Sequence, residues 1–400
     1  MVGYVPSSGE QPGPGGSRIR PSGMCKGGQV KSRAALLFES PSRWEVCEVD
    51  VDPPKDQEVL VRMVASGLCH SDVHYNVGDQ VTAMPMCGGH EGAGIVEEVG
   101  AGVTGLRPGD HVVTSFIPSC GHCRFCASGR QNLCRAGAQL QVGPQLDGTY
   151  RMHHEGQGIS QFMLVSTFSA WSTVPKNSVV KVPDDVPLET VCLLGCGVGT
   201  GFGSAINAAN VRPGDTVIVM GVGGVGINAV QGAALMGAAS VIAVDPVPFK
   251  LEMAAKLGAT HTFAHIDEAA EFARSITDGQ GADSAIVTID VVTGDHVAQA
   301  FYAVSKGGTV VVTGMASIKE PPGIPISVLM LAGYQKRIQG CLYGMGSPAE
   351  DILREVALYR AGHLKLDELI TARYGIDDIN VAVEDLVQGR NIRGVIMHEH

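Results

Sequence analysis

Positive charge is scarce in this chain: 29 Lys and Arg stand against 40 Asp and Glu, a formal net charge of −11 over 400 residues. That surplus repels polyanions, which argues against nucleic acid and anionic membrane surfaces as partners. Long apolar stretches are also missing. Hydrophobic residues make up 44% of the chain and charged residues 17%, as expected for a soluble protein with a large core. No uninterrupted apolar run is long enough to span a bilayer. Residues 1–30 lack the apolar segment of a secretory signal. Rich in Gly, Pro and Ser, they cannot bury a core and are expected to form a flexible extension, with Met24 as an internal candidate start. There is no short internal repeat. Two domains are the expectation for a chain of this length, and a cytoplasmic location is also expected. Cysteine is the exception to the scarcity. There are eleven, and in a long chain with clustered C-x-x-C spacing they point to metal in a reducing compartment rather than to disulfides.

The most organised stretch is Thr216–Asp245, TVIVMGVGGVGINAVQGAALMGAASVIAVD. Thr216 to Met220 is β-branched and apolar, as suits a strand buried on both faces. Gly221, Gly223 and Gly226 complete G-x-G-x-x-G, with Gly224 and Val225 inside it. An Ala-, Leu- and Val-rich helix follows from Ile227, then a second strand, Ser240–Val244, which Asp245 ends. The first glycine permits a tight turn and the second lets backbone approach a pyrophosphate. The third lets the helix pack on the strand, and the helix N-terminus offers free N–H groups to the phosphates. Asp245 stands where a carboxylate accepts both adenosine ribose hydroxyls. A 2′-phosphate would be repelled there, and no arginine follows to hold one, so NAD is expected rather than NADP.

Around this unit the pattern changes once. From Lys31, short β segments (KSRAALLFE, EVLVRMVASGLC, GAGIVEEVG, DHVVTSFI) are punctuated by Gly-Asp and Pro-Gly turns and read as a barrel-like β domain over 31–197. From about residue 198 to 340, strands and helices alternate, as in a doubly wound parallel sheet. Helices are expected at Phe249–Leu257 and His296–Val304. Beyond 341 two more helices, near 348–361 and 376–389, precede a last strand, RGVIMH.

Cys120, Cys123, Cys126 and Cys134 follow C-x2-C-x2-C-x7-C. Four thiolates on one loop close a tetrahedron around zinc and leave no open position, which is a structural site. Iron–sulfur clusters use similar spacing, but here the fourth Cys is distant and no Pro follows it. A second set is dispersed: Cys69 in GLCHSDVH, His90 in GGHEG and Cys196 in LGCGV. On spacing alone each reads as readily as a core cysteine or a satisfied histidine.

Taken together, GLCHSDVH, GGHEGAG, the four-Cys loop, GCGVGTGFG and GVGGVG resemble the zinc-dependent medium-chain alcohol dehydrogenases. The match runs in order from about Lys31 to about His398. The resemblance implies a GroES-like β-barrel catalytic domain, to which 341–400 returns, plus a Rossmann NAD-binding domain, with the active site between them. It implies two zinc ions per chain. Cys69, His90 and Cys196 would hold the catalytic one, leaving a position open for water or substrate oxygen. Asp72 would orient the liganding His, and Glu91 would lie behind the metal. Ser71 would take the alcohol proton and His74 would pass it on through the cofactor ribose. Thr200 and His70 would lie near the cofactor, Lys250 with Asp245 on the adenosine ribose, and Arg393 on the pyrophosphate. Phe116 and Phe162 would wall the pocket. Rival readings are a solvated helix charge for Lys250, a surface salt bridge for Arg393 and a loop polar group for His74. The implied reaction oxidises an alcohol to an aldehyde by hydride transfer to NAD.

Longer runs, among them SFIPSCGHCRFCASGRQNLC, DGTYRMHHEGQ and YRAGHLKLDELIT, resemble an actinobacterial branch, the nitrosoaniline (NDMA)-dependent nicotinoprotein alcohol dehydrogenases. There NAD stays bound and an external carrier of mycofactocin type recycles it. Glutathione-dependent formaldehyde dehydrogenases share the zinc motifs, but they keep an arginine four residues beyond the last cysteine of the loop, where this chain has Ala138. An ordinary dehydrogenase with exchangeable NAD and a zinc-stabilised relative without catalysis also share these features. The loop Arg135–Met163 resembles that of dimeric relatives, and a homo-oligomer, dimer or tetramer, is expected.

Overall fold

The computed structural model describes residues 28–400. Most of the expected extension therefore lies outside the described residues, and its last residue, Val30, already opens a strand paired with Val51. Five strands, Val30–Leu37, Glu45–Val51, Met152–His154, Gln157–Gln161 and Met86–Cys87, close a small barrel. Glu45–Val51 is not among the expected strands. Its acidic, half-exposed pattern lies directly before the Pro53-Pro54 loop.

Beside the barrel is a second sheet, built on the eleven-residue strand Glu58–Leu68. Glu91–Val99 pairs with it antiparallel, with Glu91 opposite Gly67. On its other edge the C-terminal strand Arg393–Met397 also pairs antiparallel, with Gly394 opposite Leu68. This register decides the site. The three strands bring Leu68-Cys69, His90-Glu91 and Arg393 to the same end of one sheet.

The other half is a six-stranded, all-parallel sheet. Its strands are Thr216–Met220, Ser240–Val244, His261–Phe263, Ala282–Val287, Val304–Val312 and Arg337–Gly340. Counted along the chain, they stand in the order 3-2-1-4-5-6, the arrangement of the Rossmann fold. Its ligand crevice lies beyond the carboxyl ends of strands 1 and 4, where the order reverses. Thr216–Met220 and Ser240–Val244 are buried at every residue, because helices cover both faces. The expected helices are present as Pro248–Lys256, Gly294–Ala303, Pro348–Arg360 and Ile379–Val387. Arg337–Gly340 is a further strand that the sequence pattern does not reveal, since it is a mostly exposed edge. Among the described residues no single helix is long and apolar enough to cross a membrane.

Candidate active site

The glycine turn takes its shape from two contacts. Gly221 has φ +85°, and a Cβ there would sit 2.9 Å from the Ile289 nitrogen. A Cβ on Gly226 would overlap the Gly221 carbonyl oxygen. The helix Gly226–Leu235 can therefore start directly against strand 1 only with glycine at both places. Gly223 differs: within 4 Å its Cβ position meets only Lys250 Nζ, at 3.9 Å. That open space beside a cation has the room and charge a phosphate needs. Asp245 closes the unit. Its carboxylate oxygens accept the Val222 and Val247 N–H groups, each at 3.0 Å, so the acid is fixed where it faces the cleft.

A cleft of about 610 Å³ runs from Asp245 and Lys250 past Gly221 and Gly223 to Ser71, Cys69 and Cys196. At its inner end the second set converges. One ligating atom from each of Cys69, His90, Glu91 and Cys196 lies within 4.8 Å of the others, and all four residues are buried. Local structure places each. Cys69 caps the short helix His70–Asn76, and Asp72, in the first turn of that helix, is fully buried. Asp72 accepts the Cys69 and Gly89 N–H groups at 3.3 and 3.0 Å and lies 3.3 Å from His90 Nδ1. The carboxylate thus holds the Nδ1 proton, and Nε2 is left as the acceptor. Nε2 is itself buried without a hydrogen-bond partner. An orphaned imidazole lone pair facing two thiols fits a zinc ion, and a buried polar atom left unpaired otherwise costs about 1–3 kcal/mol. Burial works against a charged His90, but the field of Asp72 overcomes it and raises the imidazole well above its usual range, so without a metal Nε2 carries a proton that a bound metal replaces. Hydrogen bonding with Cys196 holds the Cys69 thiol well below the usual value, while the same contact and burial push Cys196 up. The pair therefore shares its protons unequally when no metal displaces them.

Glu91 is not turned toward open space. Its Oε1 accepts the Gly197 N–H at 2.8 Å, and its Oε2 pairs with Arg393 Nη2. Arg393 is 2% exposed, which corrects the surface-salt-bridge reading. It also donates to the Leu68 carbonyl at 3.2 Å. It lines the cleft beside Gly224, where a Cβ would lie 2.5 Å from its Cδ, and its Nε is buried without a partner. Arg393 is therefore both a strut behind the metal set and a donor beside the glycine turn.

The remaining residues fall around the same point. Ser71 Oγ is 3.6 Å from Cys69 Sγ, and Thr200 Oγ1 is 3.9 Å from Cys196 Sγ. Both line the cleft, as do His70 and His74. Phe116 and Phe162 meet the His90 ring edge-on at 5.9 and 5.4 Å between centroids. They flank the imidazole instead of lining the cleft as expected, and Tyr343 meets Phe116 at a tilt of 48°, 4.4 Å between centroids. Asp290 is a charged cleft residue that the sequence pattern does not single out. Asp290 lies 3.4 Å from His70 Nε2 and 3.6 Å from His74 Nε2. The available signal was its place just past the carboxyl end of strand 4, at the crevice.

The four-Cys loop forms a separate, closed cluster. The ligating atoms of Cys120, Cys123, Cys126 and Cys134 also lie within 4.8 Å of one another. Backbone N–H groups point at the sulfurs: Cys123 N is 3.4 Å from Cys120 Sγ, and Cys120 N is 3.3 Å from Cys134 Sγ. Donors of this kind, from Cys126 and Arg135, lower the Cys123 thiol to about 6, whereas burial raises Cys126 to about 12. All the cysteines among the described residues are free, and only a cation settles four such sulfurs together. Changing Cys123 to Ser is expected to remove one zinc per chain and lower the melting temperature by several degrees, while the cleft set keeps its metal. Metal analysis with a thermal melt checks this.

A two-part fold with a closed thiolate cluster and a Cys-His-Cys set facing a nucleotide crevice defines a zinc- and nicotinamide-dependent dehydrogenase. The comparisons agree. Residues 55–184 match the family model of the alcohol dehydrogenase GroES-like domain, and residues 224–358 match that of the zinc-binding dehydrogenases. The chain is 50% identical over 369 residues to the NDMA-dependent alcohol dehydrogenase of Amycolatopsis methanolica, covering 92% of this chain and 99% of that one. It is 43% identical over 371 residues to alcohol dehydrogenase B of Mycobacterium tuberculosis, with coverage of 92% and 99%. Among solved structures, benzyl alcohol dehydrogenase from Acinetobacter calcoaceticus superposes with a TM-score of 0.85 at 32% identity, over 92% of this chain and 99% of that one. The chain belongs to the zinc-dependent medium-chain alcohol dehydrogenase family and is an oxidoreductase.

Proposed function

We propose that this enzyme oxidises alcohols to aldehydes by hydride transfer to NAD, that each chain carries one catalytic and one structural zinc, and that NAD stays bound and is recycled by an external acceptor of mycofactocin type. The observation that carries the reaction is the convergence of Cys69, His90 and Cys196 on the end of the cleft that Gly221 and Asp245 open. The 50% identity to an enzyme described as NDMA-dependent supports the external acceptor. We take residues 31–197 with 341–400 as the metal-bearing half and 198–340 as the nucleotide-binding half, in a cytoplasmic homo-oligomer.

Zinc supplies acidification of the alcohol oxygen and bound nicotinamide supplies the hydride acceptor. The protein's own groups do the rest. Cys69, His90 and Cys196 hold the metal, with Asp72 keeping His90 in the ligating tautomer. Ser71 Oγ receives the alcohol proton, and His74 passes it towards solvent. Phe116 and Phe162 keep water from the metal set. Thr200 and His70 border the nicotinamide end. Arg393 and Gly223 receive the pyrophosphate, and Asp245 with Lys250 holds the adenosine ribose.

Two experiments test this. The first denatures the purified enzyme and analyses the supernatant, then assays alcohol oxidation with a nitrosoaniline acceptor and no added NAD. Released nicotinamide with turnover under those conditions is expected. Turnover that requires added NAD, from protein releasing none, would establish an exchangeable cofactor. The second is Asp245→Asn, which keeps an acceptor for one of the two N–H groups but removes the charge. The preference for NAD over NADP is expected to fall by at least about tenfold, roughly 1.4 kcal/mol. An unchanged ratio of the two affinities would contradict the role of Asp245.

A further inference from the structure

A set of polar contacts outside the metal ligands joins the two halves across the mouth of the cleft. Asp290, on the turn after strand 4 of the parallel sheet, reaches His70 Nε2 at 3.4 Å with one carboxylate oxygen and His74 Nε2 at 3.6 Å with the other. The second ring nitrogen of His74 is 3.4 Å from Asp79 Oδ2. Asp79 returns to the nucleotide half: its Oδ1 accepts from Ser317 Oγ at 2.9 Å and its carbonyl accepts the Ile318 N–H at 3.0 Å. Next to it, Gln80 Nε2 donates to the Ala316 carbonyl at 2.8 Å. The circuit is closed within the nucleotide half, where the Val292 N–H donates to the Met315 carbonyl at 2.9 Å. His70, His74, Asp79 and Gln80 are on one side of the cleft, and Asp290 and the 315–318 turn are on the other.

We propose that Asp290 is a positioning residue that holds His70 and His74 against the nucleotide-binding half, and that with the Asp79–Ser317 bond it forms a clasp setting the rate at which the nicotinamide nucleotide leaves. The proposal rests on the dehydrogenase reading above. Contacts between domains of one chain are commonly small and polar, so domains open unless something specific joins them. A nucleotide lying in this cleft leaves only as the halves part, and such opening steps set many release rates. The clasp spans the nicotinamide end, while the adenosine end is held by the nucleotide half alone, through Asp245 and Lys250. The Asp79–Ser317, Asp79–Ile318 and Gln80–Ala316 contacts are direct hydrogen bonds, and Asp290 adds longer polar contacts to the two imidazoles, so loosening this set is expected to change release by a readable factor.

The test is the release rate of NADH from the zinc-replete full-length enzyme, followed by fluorescence after mixing with excess NAD. Asp290→Ala and Ser317→Ala are expected to release NADH about tenfold faster than wild type, equivalent to about 1.4 kcal/mol. Asp290→Asn, which keeps one acceptor oxygen, is expected to fall between. Ser317 does not line the cleft, so its effect cannot come from a lost nucleotide contact. Release from Ser317→Ala within about twofold of wild type overturns the clasp, even if Asp290→Ala is fast, because Asp290 would then act on the nucleotide directly. Hydrogen exchange of the 315–320 segment in nucleotide-free protein gives a second readout: faster exchange in Ser317→Ala is expected, and unchanged exchange argues against the bridge. If wild type bound no nicotinamide nucleotide, the dehydrogenase reading would fall, and the exchange result would still decide whether the bridge holds the halves together.

Discussion

Replacing Cys196 by alanine is expected to lower alcohol turnover at least about a thousandfold, a loss of about 4 kcal/mol of transition-state stabilisation. The reason is geometric. Cys196 reaches the metal set from the loop before the helix Gly197–Gly203, far in sequence from Cys69 and His90. With it removed, two ligands are left where a catalytic zinc takes three. The fold itself should survive. Cys196 belongs to no strand, and the four-Cys loop is closed without it. The variant is therefore expected to hold one zinc fewer than wild type, to keep its circular dichroism, and still to bind nucleotide. Turnover within about tenfold of wild type would mean that the hydride step does not depend on this metal.

Arg393→Ala carries the largest expected effect on stability. Glu91 and Arg393 are both buried, at 0% and 2% exposure. Burial pushes the Glu91 carboxyl above its usual range, and the Arg393 charge opposes that shift. Removing one partner of such a pair costs about 3–5 kcal/mol, because the other charge stays buried without compensation. A domain's whole stability is about 5–15 kcal/mol, so the variant should show a large drop in urea midpoint at unchanged slope. Neutralising the partner as well tests the mechanism. Glu91→Gln keeps an acceptor for the Gly197 N–H, and the double variant Glu91→Gln/Arg393→Met is expected to recover much of the loss. Nucleotide affinity should remain weakened in the double variant, since the Arg393 group beside Gly224 is still absent. A stability loss below about 1 kcal/mol in Arg393→Ala would show that the pair is solvated and that its burial has been misread.

How much of this was legible in the sequence depends on how local each feature is. Thr216–Asp245 could be read whole, because a strand, turn, helix and acid lie within one stretch and each residue type has a backbone reason to be there. The four-Cys loop was equally compact. The metal trio was not legible from spacing. Cys69, His90 and Cys196 meet only through the register of Glu58–Leu68 with Glu91–Val99 and the return of the chain at Cys196, and neither pairing leaves a periodic signal. Family resemblance supplied that set, and the structure brings its ligating atoms together. Arg393 was placed on the pyrophosphate side, but its bond to Glu91 comes from the pairing of the C-terminal strand with Glu58–Leu68, a contact across more than three hundred residues. Arg337–Gly340 is exposed at a sheet edge and carries no apolar run. Asp290 was read as the end of strand SAIVTID. The strand stops at Val287, and the residues past its carboxyl end turn into the crevice.

The central claim is that Cys69, His90 and Cys196 share a zinc ion facing the nucleotide cleft. Anomalous diffraction at the zinc edge from crystals of the zinc-loaded enzyme tests it most directly. Two peaks per chain are expected: one among the four-Cys sulfurs, and one about 2.3 Å from Cys69 and Cys196 Sγ and about 2.0–2.1 Å from His90 Nε2. A single peak, at the four-Cys loop alone, would contradict the account.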